Sequence, residues 1–208
     1  MKGLLLKDAY LAWAHFKGYI VLVLMFTALS ASERGNFFLV FYPCMLCGMV
    51  PVNLMAYDER SKWDGYTAIL PVSRKQVVSS KYLFGLIAQG IILLLVAAGN
   101  MVRMSFFGGI DWQYLFALMG MMFMLACVSV ALPLPFIFKS GVEKGRMGYY
   151  VMIGLAGVGS GVASGFLGYD VTAFSLPGPV VPFMVMLGIG VYALSWYLSV
   201  RFYEKREL

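Results

Sequence analysis

The apolar positions of this chain run in long blocks, not in the alternating or one-faced patterns of a soluble fold. Six blocks stand out: Gly18–Ser32, Phe37–Ala56, Tyr82–Val102, Tyr114–Phe138, Tyr149–Leu167 and Val180–Val200. A helix rises ~1.5 Å per residue and the bilayer's hydrocarbon core is about 30 Å thick, so about 20 apolar residues cross it. The blocks predict an all-α membrane protein with six transmembrane helices. The first is short and reaches spanning length only by borrowing Trp13–Lys17, with Lys17 snorkelling toward the headgroups. Residues 2–17 predict an N-terminal interfacial elbow helix. Leu5, Ala9, Ala12, Trp13 and Phe16 share one helical stripe there, and Lys7, Asp8 and His15 lie away from it. The alternative reading is a plain cytoplasmic extension of the first span.

Charge orients these elements. With the N-terminus inside, the loops after the second and fourth blocks and both termini collect 14 of the 16 basic residues, leaving Arg34 and Arg103 outside. Basic residues stay on the cytoplasmic side, so both termini are expected to be cytoplasmic. The outer loops, Ser32–Asn36 and Ser105–Trp112, are too short to hold a domain, and Tyr169–Pro179 is broken by Pro177-Gly178-Pro179. Pro133 and Pro135 predict a kink in the cytoplasmic half of the fourth span. Gly154, Gly157, Gly159, Gly161 and Gly165 predict close helix packing in the fifth.

Composition agrees. Of 208 residues, 61% are hydrophobic and 12% charged, and mean hydropathy is +0.81. A soluble domain has about 25% charged residues. The whole chain reads as one transmembrane domain, residues 1–208, with the first span retained because no cleavage site follows it. A net charge of +6 without a basic stripe or motif points to topology and not to nucleic acid. Cys44-Met-Leu-Cys47 has redox spacing but sits in an apolar run, as two ordinary buried thiols would. His15 is the only histidine. No zinc or haem ligand set exists, and no span carries a carboxylate pair, so the chain is not expected to be an enzyme.

The polar segment Tyr57–Lys75, opening a cytoplasmic stretch over residues 57–80, is the outlier. It holds Asp58, Glu59, Arg60, Lys62, Asp64, Arg74 and Lys75. Trp63, Tyr66, Ile69 and Leu70 recur at helical spacing, predicting a short amphipathic helix. Pro71 sets a turn, and Ser73 is placed to N-cap the helix entering the third span. A short apolar-faced helix outside the bilayer docks on the membrane surface or in a groove of a partner. The alternative is that these charges only solvate a loop and enforce topology. Asn53, Gln89 and Asn100 are the intramembrane polar residues, hence pathway candidates, although Asn and Gln also tie helices together.

This segment resembles the intracellular loop of the ABC-2 type transporter permeases. The shared order is Asp58-Glu59, then Trp63–Leu70, then Leu70-Pro71-Val72-Ser73-Arg74, then Lys81-Tyr82. Pro133-Leu-Pro135-Phe-Ile-Phe-Lys139 and Glu143-Lys144-Gly145-Arg146 look like the compact subgroup that includes exporters of phenol-soluble modulins and of peptide antibiotics. Asp64-Gly65-Tyr66-Thr67 stands where larger members carry Glu-x-x-x-Gly-Thr. The resemblance implies a multi-pass protein of a bacterial cell membrane, surrounded by lipid. It implies a second permease, identical or a sister chain, and ATPase subunits that hold ATP and magnesium. This chain would carry no cofactor. Trp63, Tyr66, Ile69 and Leu70 would be docking anchors, with Asp58, Glu59, Arg60, Lys62, Asp64 and Arg74 as a polar rim beside Pro71 and Ser73. The cargo implied is an amphipathic peptide or a hydrophobic small molecule. The alternative is a non-transporting membrane partner, such as a peptide-immunity or assembly factor.

Overall fold

The computed structural model describes residues 2–15, 17–32, 37–69, 71–107, 112–148, 150, 151, 154 and 180–205. Among them the secondary structure is entirely helical: α1 (Lys2–His15), α2 (Lys17–Ser32), α3 (Phe37–Arg60), α4 (Trp63–Ile69), α5 (Arg74–Phe107), α6 (Trp112–Ala131) and α7 (Pro133–Ser140). A helical stretch, α8, covers 142–148, and α9 is Val180–Lys205.

The expected six membrane-spanning helices are corrected. Among the described residues three helices are long and apolar enough to cross a bilayer: Arg74–Phe106, Trp112–Ser140 and Val180–Lys205. The number rises to four only if α1 and α2, bent by 71°, form one broken span. The physical reasons differ along the chain. Helix α2 has 16 residues, about 24 Å at ~1.5 Å each, and so falls short of the hydrocarbon core. The described side chains of α3 run from Tyr42, and that stretch contains Pro43, Pro51, Asn53 and the charged end Asp58-Glu59-Arg60. Most of the expected fifth span, with its glycines beyond Gly154, lies outside the described residues, as do Tyr169–Pro179, Arg34, Phe16 and Leu70.

The third and sixth expected spans are extended by the structure. Helix α5 has 34 residues, about 50 Å at ~1.5 Å per residue, so it overshoots the hydrocarbon core at its ends. The prolines expected to kink the fourth span begin α7 after a one-residue turn at Leu132. Pro tolerates the first turn of a helix, where its missing N–H has no partner to lose.

The α6–α7 span is central. Of its most apolar window 56% is buried, against 28% for α5 and for α9. One core cluster joins α2, α3, α5 and α6 through Val23, Cys44, Leu54, Val96 and Met122. The other joins α5, α6, α7 and α9 through Val78, Tyr82, Val130, Leu134 and Tyr203. Lipid tails supply little hydrophobic drive between helices, so close contact and hydrogen bonds hold such a bundle. Tyr82 Oη lies 2.6 Å from both Ser195 Oγ and Ser199 Oγ. Ser195 donates to Ala131 O, and Tyr192 donates to Tyr82 O. With its proton spent on Ala131, Ser195 must accept from Tyr82, which leaves Ser199 donating to Tyr82.

Cys44, Cys47 and Cys127 are buried and unpaired. Helices α3 and α6 approach closely at Gly48, where a Cβ would fall 2.5 Å from Ser129 Oγ. That hydroxyl cannot easily withdraw, because it accepts from Gln89 Nε2 and donates to Ala126 O. Gly90 faces open space. Gly48→Ala is therefore expected to cost about 1–3 kcal/mol through overpacking. Gly90→Ala is expected to be neutral or to stabilise by up to about 1 kcal/mol through helix propensity. Thermal melts of the detergent-solubilised variants check both; equal melting points would contradict the α3–α6 contact.

Candidate functional site

The polar end of the bundle is held by four charges from three helices. Asp8 of α1 is 1% exposed and Lys81 of α5 is 5% exposed. Lys81 Nζ lies 2.7 Å from Asp8 Oδ1 and 2.6 Å from Asp58 Oδ2 on the last turn of α3. Lys7 Nζ lies 2.5 Å from Asp58 Oδ1 and 3.5 Å from Asp8 Oδ1. Two carboxylates and two ammonium groups thus alternate and cancel. Removing the buried Lys81 would leave an uncompensated buried charge, and breaking such a pair costs about 3–5 kcal/mol; the Lys7 side chain, 26% exposed, is partly solvated.

Lys7 has a second contact. Its ammonium sits over the Trp63 ring, 4.2 Å from the centroid, a cation–π contact worth about 0.5–2 kcal/mol. Trp63 opens α4, so the charge cluster grips this short helix from behind. The junction between α3 and α4 is the two-residue turn Ser61-Lys62. Ser61 N donates to Tyr57 O, Lys62 N to Glu59 O and Ser61 Oγ to Asp58 O. Lys62 takes φ 53, the left-handed conformation that ends many helices. Trp63 and Tyr66 stack with centroids 6.2 Å apart. Tyr66 is 64% and Ile69 84% exposed.

The residues expected to form a polar rim divide. Asp58 turns inward to the cluster. Glu59 Oε2 accepts from Val142 N at 3.1 Å, capping α8 where Gly141 (φ 87) ends α7. Arg74 Nη1 donates to the carbonyls of Tyr203 and Glu204, satisfying the C-terminal turn of α9. Arg60 and Lys62 remain exposed. The backbone at Asp64 is helical, and Leu70 lies outside the described residues. Pro71 is exposed in the bend before α5. Ser73 caps α5: Gln76 N donates to Ser73 Oγ at 3.3 Å, and Ser73 N donates to Gln76 Oε1 at 3.1 Å. This is a reciprocal capping box.

The pathway candidates are scattered, and two of them bond across helices. Asn53 Nδ2 donates to Tyr19 Oη, and Asn53 Oδ1 accepts from Arg146 Nη2. Gln89 Nε2 donates to Cys44 O and Ser129 Oγ, linking α5 to α3 and α6. Asn100 Nδ2 donates to Val96 O within α5. No group of three or more His, Cys, Asp or Glu among the described residues could hold a metal.

Sequence reasoning missed Asp8, Lys7 and Lys81 as a unit. The expected apolar stripe of α1 put Asp8 on the polar side. In the structure Leu4, Leu11 and Ala12 pack on the cores and Asp8 is buried on that side, while Leu6, Tyr10 and Trp13 are exposed. The available signal was one acid in a helix otherwise charged only by lysines, and one lysine inside the run Val77–Leu83.

Comparison with family models matches residues 3–204 to the family described as ABC-2 family transporter protein. No curated protein and no solved structure matches the chain. An all-helical, multi-pass membrane chain, matched over nearly its whole length, belongs to the ABC-2 transporter family.

Proposed function

We propose that the chain is the permease subunit of an ATP-driven exporter and that α4 is its coupling helix. The observation that carries this reading is α4 itself. It presents Tyr66 and Ile69 outward, both largely exposed among the described residues. Lys7 and the charge cluster brace it from behind. Exposed large apolar side chains on a short helix favour burial in a partner's groove. The sequence contains no G-x-x-x-x-G-K-[ST] loop, so nucleotide binding and hydrolysis fall to separate ATPase subunits. A second permease, identical or a sister chain, completes the pathway through the cell membrane.

The cargo proposed is an amphipathic peptide or a hydrophobic small molecule. Fifteen Met and 16 Phe support it, because such side chains repack around varied apolar shapes. Of the pathway candidates, Gln89 is the best supported. Its buried Oε1 has no hydrogen-bond partner among the described residues, and the side chain lines a small cavity with Gly85, Phe123, Cys127 and Tyr192.

Tyr66→Asp with Ile69→Asp is expected to abolish co-purification with the co-expressed ATPase while leaving the melting temperature of the permease unchanged. Retention of the ATPase would refute the docking role. Lys7→Gln is expected to leave the ATPase bound but to lower cargo-stimulated hydrolysis several-fold, because α4 loses its brace. Lys81→Met is expected to cost about 3–5 kcal/mol of stability, measured by thermal melts; an unchanged melt would argue against the buried four-charge arrangement.

A further inference from the structure

A second polar feature lies on a different stripe of α3. Asn53, Ala56, Tyr57 and Arg60 recur at i, i+3, i+4 and i+7, one face of the helix, and with Arg146 of α8 they line a cavity of about 220 Å³. Two guanidinium groups line it and no acid does. Glu59, next in sequence, is turned away to Val142 N.

Arg146 is held in place and incompletely bonded. Its Nη2 donates to Asn53 Oδ1 at 2.9 Å, and Asn53 is steadied in turn by Tyr19 Oη. Its Nε is buried with no hydrogen-bond partner among the described residues. A buried charged donor left unbonded is costly, and a ligand that accepts from it would relieve that cost. Arg60 is exposed and belongs to none of the four ion pairs among the described residues. Two guanidinium groups with no ion-pair partner among the described residues, beside a polar cavity, suit an oxyanion with several acceptor oxygens, and phosphate matches the guanidinium fork.

The surroundings indicate where the phosphate comes from. Beyond Arg146 the chain exposes Met147, Tyr150 and Val151, apolar side chains that would lie against acyl chains. Trp13 of α1 is exposed, with Lys17 over its ring at 6.0 Å, as in the aromatic and basic belt at a headgroup layer. We infer that the Arg60–Arg146 cavity binds the phosphate of an anionic phospholipid headgroup, with the acyl chains running along Met147, Tyr150 and Val151. A zwitterionic headgroup would bring a cation toward the two arginines and bind less well.

The full-length protein would be purified in detergent and titrated with phosphatidylglycerol or phosphatidylcholine carrying brominated chains, reading quenching of Trp fluorescence. Wild type is expected to prefer phosphatidylglycerol, and Arg60→Gln/Arg146→Gln to lose about tenfold of that preference. Arg60→Gln alone, at an exposed position, gives a partial loss even if the double variant misfolds. Lys205→Gln, a charge lost elsewhere on the surface, should leave the preference intact. Equal preference in wild type and both arginine variants would overturn the site. An equal loss in Lys205→Gln would reduce it to general surface charge and overturn it too. Displacement of the lipid by millimolar inorganic phosphate alone would overturn the lipid as the source. Every arm can be read without an ATPase, so failure here leaves the coupling proposal standing.

Discussion

Burying charge in an apolar bundle is tolerable only when every charge meets its opposite, and the polar end of this protein is arranged around that constraint. Asp8, Asp58, Lys7 and Lys81 come from α1, α3 and α5. None of the three helices can shift alone without exposing a partner to uncompensated burial. The neutral sum permits the depth, and the alternation of signs sets the register. Trp63 adds α4 to the same arrangement through the ring face that Lys7 covers. Glu59 and Arg74 extend the scheme outward, satisfying the start of α8 and the end of α9.

Away from this end the cohesion changes character. The long helices are apolar on nearly all sides, so apolarity does not choose their neighbours. Selection falls to small residues and to a few polar ties. Gly48 lets α3 meet Ser129, Gln89 reaches α3 and α6 at once, and the Tyr82–Ser195–Ser199 set fixes α9 against α5. The α6–α7 span is the common wall between the two cores.

Much of the helical layout was legible from the chain alone. The spans in α5, α6–α7 and α9 follow from unbroken apolar length, and the break at Pro133 and the cap at Ser73 follow from local stereochemistry. The number of spans was not legible, because the short first block was lengthened by borrowing from α1, which the structure bends away by 71°, and α3 was counted without the cost of Asn53 and its two prolines. The outward-facing Tyr66 and Ile69 could be read from helical spacing. The cluster could not, because Asp8 and Lys81 are 73 positions apart, and a stripe argument sends any lone acid to water. Nor could the helix-end contacts of Glu59 and Arg74 be read: a charge in a polar segment gives no hint that it has a partner on α8 or α9 of its own chain.

The turn at Ser61-Lys62 has a mechanical meaning. Two residues, with one already committed to φ 53 and three of their hydrogen bonds directed back into α3, form a joint with almost no slack. A long glycine-rich connector would absorb a push on α4 as local bending. Here, under the proposed coupling role, a push on α4 would be handed to the last turn of α3, and from there through Asp58 to Lys81 of α5. Such a joint is a stiff elbow, and a seven-residue helix used for coupling would need one to act as a lever on elements several times its length.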